Sequence, residues 1–144
     1  MDMQNYSNHR RTVPPFHFFL LPLLLLTLIG SIVNLVNSWG DHERLYSASL
    51  LVVLSIGTLL AALFGRMFAL KAQDRAIRAE ENLRHFAMTG KLLDPRLTIR
   101  QIIALRFASD AEFVDMAKQA ADSKTAPDSI KRSIKTWRPD TDRV

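Results

Sequence analysis

The side chains that could do chemistry are few, and they are scattered along the chain. The sequence has four histidines and no cysteine. The absence of cysteine excludes disulfides, thiolate metal sites and cysteine nucleophiles. The histidines fall in four different segments, at His9, His17, His42 and His85. No two of them share a metal-ligand spacing with a carboxylate on one helix face. The sequence therefore predicts no metal site.

The motifs of common enzyme classes are missing as well. There is no glycine-rich phosphate loop, nucleophile elbow or HExxH pair. The adjacent carboxylates Glu80 and Glu81 are interpreted as members of surface ion pairs. We expect a protein with no enzymatic activity, no cofactor and no small-molecule substrate.

Charge and hydrophobicity are separated into blocks, which sets the fold class. The formal net charge is +5, yet no Asp, Glu, Lys or Arg lies between Thr12 and Gly40, or between Leu45 and Gly65. From Arg66 onward the chain has 16 basic and 11 acidic residues, a mixed excess that fits a cytoplasmic membrane face better than a nucleic-acid binder. The pattern predicts an all-α membrane protein whose partners include membrane lipids and exclude nucleic acid.

Both apolar blocks are long enough to cross a bilayer, because a spanning helix needs about 20 apolar residues. We assign residues 16–38 to a first transmembrane helix, 39–45 to an external loop and 46–68 to a second transmembrane helix. A cleaved signal peptide is the alternative for the first block, but the block is longer than a typical signal core and a second span follows it directly.

Flanking basic residues predict the orientation of this hairpin. Arg10 and Arg11 precede the first span within an N-terminal tail, residues 1–15, whereas the loop carries one arginine and two acids. Four basic residues follow the second span: Arg66, Lys71, Arg75 and Arg78. Both ends are therefore predicted to be cytoplasmic. The same cations could contact anionic headgroups, although enforcing topology is the simpler interpretation.

Small residues within the spans predict a helix-packing face. Gly57, Ala61 and Gly65 recur every four residues in the second span, and Gly30 in the first is a possible counterpart. Packing within the hairpin is the favoured interpretation; contact with a partner or with a second copy is the alternative. No ionisable residue lies mid-span, which disfavours an ion pathway.

The second span is predicted to continue as a cytoplasmic helix over residues 69–90, ended by Gly90. Its ion pairs are expected to be Asp74 with Arg78 and Glu80 with Arg84. A coiled-coil-like stripe of apolar residues follows alternating three- and four-residue steps. The stripe includes Ala72, Ala76, Ala79, Leu83 and Phe86. We expect it to meet the folded-back C-terminal region, a partner or a second copy.

Residues 91–144 are predicted to form three short helices and a tail. Capping boxes at Thr98–Gln101 and Ser109–Glu112 begin two of them, and Thr125 with Pro127 begins the third, which Arg138–Pro139 would end. Trp137 is expected to anchor the core, and the tail after Pro139 to be an exposed docking strip. The partner-binding candidates of this end are Trp137, Arg138, Asp140 and Arg143.

Four strings of this sequence resemble a bacterial family known only as a domain of unknown function. They are QNYSNHRR at residues 4–11, ALKAQDRAIRAEENLR at 69–84, IIALRFASDAEF at 102–113 and IKRSIKTWRPDTDRV at 130–144. The resemblance covers nearly the whole chain. It implies a two-span inner-membrane protein and carries over no catalytic residue.

From these observations we expect a membrane-anchored scaffold whose cytoplasmic helices bind a protein partner, a larger membrane complex or another copy. Two alternatives remain open: a small oligomeric pore or transporter accessory subunit, and a membrane protein that responds to anionic lipids.

Overall fold

The computed structural model describes residues 4–8 and 12–140, and within them the protein is all-helical, as predicted. A π-helical turn at Pro15–Leu20 continues into α1, Leu21–Asn37. The remaining helices are α2 at His42–Thr89, α3 at Ile99–Leu105, α4 at Asp110–Ser123 and α5 at Pro127–Ser133. No β-strand occurs in this part of the chain; a single bridge joins Ala108 and Trp137.

The chain divides into two compact units. One is Thr12–Ala69, called the apolar unit here. The other comprises the described residues 70–140 together with residues 4–8, and is called the C-terminal module. Helix α2 contributes its first part to the apolar unit and its last part to the module. The prediction of one uninterrupted helix up to Thr89 is confirmed.

Both helices of the apolar unit leave most of their large apolar side chains exposed. The helical segments Pro15–Asn37 and His42–Thr89 are long and apolar enough to cross a membrane. Very little of their most apolar stretches is buried inside the protein, and large side chains such as Phe18, Leu26 and Leu54 stay exposed. The residues that are buried are small: Ser31, Ser38, Ala48 and Ser55.

The first turns of the apolar unit depart from a regular α-helix. Leu21 donates its backbone N–H to the carbonyl of Phe16, a π-type bond at the end of the turn. Pro22 follows, and proline has no N–H to donate to the preceding turn. The guanidinium carbon of Arg66 lies 5.6 Å from the centre of the Phe16 ring, so the beginning of this segment contacts a residue of α2.

The core of the C-terminal module is built around α3, four of whose seven residues are buried. Helix α2 contributes Ile77, and α4 and α5 contribute Phe113 and Ile130. The largest fully buried side chains are Phe107, Phe113 and Leu105. Because α3 and α5 have only seven residues each, packing rather than intrinsic propensity stabilises them.

Local signals at two helix ends are confirmed. The hydroxyl of Thr98 accepts a hydrogen bond from the backbone of Gln101, whose side chain accepts one from the backbone of Thr98, at 3.3 and 2.8 Å. This is the predicted reciprocal capping box. Gly90 ends α2 with φ of +73°, a conformation that glycine adopts without steric cost.

Two further predicted helix starts are confirmed in position, and one predicted end is wrong. Helix α4 begins directly after Ser109, although the Ser109 side chain makes no cap bond, and α5 begins at Pro127 with Ala126 in place of Thr125 as its cap residue. Helix α5 ends at Ser133 rather than near Arg138, because contacts distant in sequence hold the segment that follows it. Two backbone bonds draw the following segment to the residues before α4: Ser109 N–H to Thr136 O at 3.1 Å, and Arg138 N–H to Phe107 O at 2.7 Å.

Candidate functional site

The end of α2 carries a buried ion pair where a surface pair was predicted. Arg84 does not pair with Glu80; its Nη1 donates to Oε2 of Glu81 at 3.0 Å. The exposed fractions of these side chains are 11% for Arg84 and 7% for Glu81. The interpretation of Glu81 as a surface carboxylate is therefore wrong, because its helix face is the one that packs on the module core. The predicted pair of Asp74 and Arg78 is likewise not formed within the described residues.

Arg84 joins α2 to the start of α4 through several contacts. Its Nε and Nη2 donate to Oδ1 of Asp110 at 2.8 and 2.6 Å, and Nη2 also donates to the carbonyl of Ala108 at 2.8 Å. The guanidinium carbon lies 4.2 Å from the centre of the Phe113 ring. A cation with this many fixed partners positions helices. It is not arranged to receive a ligand.

The segment after α5 is fastened to the module by the carboxylate of Glu112. Its oxygens accept the backbone N–H groups of Lys135 and Thr136 at 3.0 and 2.8 Å, and the Ser109 hydroxyl at 3.0 Å. The hydrogen bond from Lys135 is the largest cause of a lowered pKa of Glu112. Glu112 was predicted to cap α4, but it binds residues that lie far along the chain.

The C-terminal partner candidates are mostly engaged inside the module. Trp137 packs against Phe107 with ring centres 5.1 Å apart, which confirms its interpretation as a core anchor. Asp140 forms an ion pair with Arg106 at 3.0 Å. Arg138 is largely exposed, with its Nη1 at 4.0 Å from Glu81. Arg143 lies outside the described residues, so Asp140 is the part of the predicted docking strip after Pro139 that the structure describes.

Residues near the N-terminus also belong to the module, which the sequence did not predict. The hydroxyl of Tyr6 donates to Oδ1 of Asp128 at 2.6 Å, and this bond is the first cause of a lowered pKa of Asp128. The guanidinium carbon of Arg132 lies 5.0 Å from the centre of the Tyr6 ring. The backbone N–H of Asp140 donates to Gln4 at 2.7 Å. Positions 9 to 11, including the topology candidates Arg10 and Arg11, lie outside the described residues.

The apolar stripe of α2, called the seam from here on, is exposed along its length. Leu83 and Phe86 expose 67% and 51% of their surfaces. The members of the seam are Ala72, Ala76, Ala79, Leu83 and Phe86. The module core uses a different face of the helix, marked by Ile77, Glu81 and Arg84. Of the three expected occupants, the folded-back C-terminal region does not cover the seam with any residue up to Asp140, where the described part of the chain ends.

The basic residues after the second span have different environments. Arg66 contacts Phe16, as described above. Lys71, Arg75 and Arg78 are exposed and form no ion pair with any residue that the structure describes. Glu80 is likewise exposed and forms no ion pair with a described residue. These charges are available to an anionic surface or to another molecule.

The small residues of the predicted helix-packing face do not meet within the chain. Gly57, Ala61, Gly65 and Gly30 are all exposed. A β-carbon added to any of the three glycines would have no atom within 4 Å outside its own helix. The described residues therefore show no packing of this face inside the hairpin, and its role stays a prediction. The buried residues Ala48 and Ser55 lie on another side of α2.

One groove of about 570 Å³ opens on the module surface beside α4 and α5. Two of the polar side chains that line it already bind other groups of the protein. Gln101 donates to the carbonyls of Ala120 and Thr125, and Arg96 forms ion pairs with Asp94 and Asp122. His85 is also engaged, with Nδ1 at 2.7 Å from the carbonyl of Lys91. The described residues contain no cluster of three potential metal ligands.

A sequence profile of a family of unknown function, DUF6526, matches residues 1–144. The chain belongs to this family. No curated protein and no solved structure matches the DUF6526 chain. Membership is consistent with the resemblance found in the sequence and assigns no activity to the DUF6526 chain.

Proposed function

We propose that this DUF6526 protein is a non-enzymatic interaction protein anchored in the inner membrane of a bacterium. In this proposal the apolar unit crosses the membrane as a two-helix hairpin. The N-terminal residues and the C-terminal module lie in the cytoplasm, and the module binds a protein partner through the seam.

The surface of the apolar unit supports the membrane anchor. Leucine, isoleucine, valine and phenylalanine side chains remain exposed around both helices, among them Phe19, Ile29 and Val53. Each fully buried side chain of this kind gains about 1.5–3 kcal/mol over its exposed state, so water is a poor solvent for such a surface. Hydrocarbon is a good one, and the helices satisfy their own backbone groups as a membrane requires.

Two contacts support a hairpin in which both ends of the chain lie on the same side of the membrane. Arg66, near the end of the second span, lies over the ring of Phe16, at the beginning of the first. Tyr6 precedes the first span and hydrogen-bonds to Asp128, which follows the second. A hairpin places both of these pairs on one side of the membrane. The distribution of basic residues makes that side the cytoplasm.

The exposed seam is the observation that carries the binding function. The module has a packed core with Arg84 and Glu112 fixing its parts, so Leu83 and Phe86 are not left exposed by poor folding. An exposed apolar row on an ordered helix is typical of a surface that docks another helix.

Site-specific photo-crosslinking in cells tests this proposal. A photo-reactive amino acid at Leu83, on the seam, is expected to give a defined adduct that mass spectrometry identifies. The same amino acid at Arg100, an exposed residue of α3, is the matched control and is expected to give none. An absence of adducts at Leu83 and at Phe86 would contradict the proposed function.

A further inference from the structure

The seam has charges on its two flanks that are arranged in a self-complementary way. Its members follow coiled-coil spacing, in which Ala76 and Leu83 take one core position and Ala72, Ala79 and Phe86 the other. In heptad terms these two core positions are a and d. Arg75 then lies at position g, directly before Ala76, and Glu80 lies at position e, directly after Ala79. Both side chains are exposed, and neither pairs with a described residue of its own chain.

Parallel coiled coils bring such flanking positions together across the interface. A residue at position g of one helix faces position e of the other helix, which lies five residues later in the sequence. Arg75 of one chain would therefore face Glu80 of the other. By twofold symmetry, Glu80 of the first chain would face Arg75 of the second. Two copies inserted into one membrane in the same orientation are necessarily parallel.

We propose that a second copy of this chain docks on the seam, with α2 parallel to α2 and Arg75 paired with Glu80 in both directions. This inference rests on the proposed function, since it makes the second copy the protein partner. The alanines at 72, 76 and 79 allow the two backbones to approach closely, while Leu83 and Phe86 supply apolar surface at the end of the helix. The seam lies away from Ile77 and Glu81, so docking leaves the module core unchanged.

The absence of cysteine makes oxidative crosslinking of the full chain in native membranes a direct test. Ala76→Cys and Leu83→Cys each place one thiol at a core position of the proposed interface. Under mild oxidation both are expected to give a disulfide-linked dimer of twice the 16.4 kDa chain mass. Arg78→Cys is the matched control, because Arg78 is exposed on the same helix but away from the seam. It is expected to remain monomeric.

A charge-exchange series in the Ala76→Cys background tests the partner and the direction. Arg75→Glu or Glu80→Arg alone replaces two attractive pairs with two repulsive ones. At typical strengths of surface pairs this lowers the dimerisation constant about tenfold. The double variant, Arg75→Glu with Glu80→Arg, restores both pairs and is expected to recover the crosslinking yield.

The outcomes separate this inference from the function on which it rests. Crosslinking at the seam together with recovery in the double variant supports the parallel dimer. Single variants that lower the yield without recovery in the double variant overturn it. Crosslinking of the seam thiols only to a different protein also overturns the dimer, while the proposed interaction function stands. Seam thiols that capture no protein overturn both.

Discussion

Arg84 is the residue whose replacement tests the packing of the C-terminal module most severely. In Arg84→Met the apolar part of the side chain can still lie against Phe113, but the charge is lost. Glu81 would keep a buried carboxylate whose nearest remaining cation is Arg138 at 4.0 Å. The carbonyl of Ala108 would lose its bond from Nη2.

The expected loss of module stability follows from the burial of this pair. Removing one member of a buried ion pair costs about 3–5 kcal/mol, because the other charge stays buried without compensation. Asp110 is the third member of the group, but 76% of its side chain is exposed. Asp110→Ala is therefore expected to cost about 1 kcal/mol or less, as for surface ion pairs.

Hydrogen–deuterium exchange of the full chain in detergent measures the effect within the module. The slowest amides of the core, around Leu105 and Phe113, are expected to lose most of their protection in Arg84→Met. Arg100→Met is the control, because Arg100 is exposed and pairs with no described residue. The double variant Glu81→Met with Arg84→Met removes both charges and is expected to be at least about 1 kcal/mol more stable than Arg84→Met alone. Equal protection in Arg84→Met and Arg100→Met would refute the reasoning.

Three further predictions concern other contacts. Because the pKa of Glu112 is lowered, its carboxylate stabilises the module above the ordinary glutamate pKa, and this stabilisation is lost as the pH falls through the lowered value. Glu112→Gln is therefore expected to make hydrogen exchange at the Lys135 amide less sensitive to acid. A pH profile of exchange that the substitution leaves unchanged would argue against this anchor. Tyr6→Phe removes the hydrogen bond to Asp128 and is expected to weaken the docking of the N-terminal residues on the module by about 1 kcal/mol. Proteolysis of these residues should then be faster, and cleavage at the wild-type rate would contradict their docking. A β-carbon added at Gly57 has no atom within 4 Å outside its own helix, so Gly57→Leu is expected to leave the thermal unfolding temperature within a few degrees of wild type. A large drop would show that this face is packed inside the chain.

The parts of the fold that local chemistry determines were predictable from the sequence. A long run of helix-forming residues ended by Gly90 gave the correct end of α2, and the Thr98–Gln101 capping box gave the start of α3. The apolar blocks correctly indicated two helices able to cross a membrane. Each of these signals lies within a few residues of the structure it specifies.

The errors arise where residues far apart in sequence compete for the same groups. Glu80 and Glu81 are neighbours in sequence, and only the phase of α2 against the module decides that Glu81 is buried and pairs with Arg84. Glu112 was available as a cap for α4, but the N–H groups of Lys135 and Thr136 occupy it. The docking of Tyr6 against α5 likewise has no local signal. The seam was predicted as a stripe, but its exposure depended on which face the core selects.

Cysteine accessibility across the membrane tests the central claim of a two-span anchor with both ends on one side. Single cysteines at Ser7, Glu43 and Lys118 probe the N-terminal residues, the start of α2 and α4 of the module, with a maleimide that cannot cross membranes. In cells whose inner membrane is intact, labelling is predicted at Glu43→Cys alone, and Ser7→Cys and Lys118→Cys are predicted to react only after that membrane is permeabilised. Labelling of Lys118→Cys in intact cells, or recovery of the chain in the soluble fraction, would contradict the account.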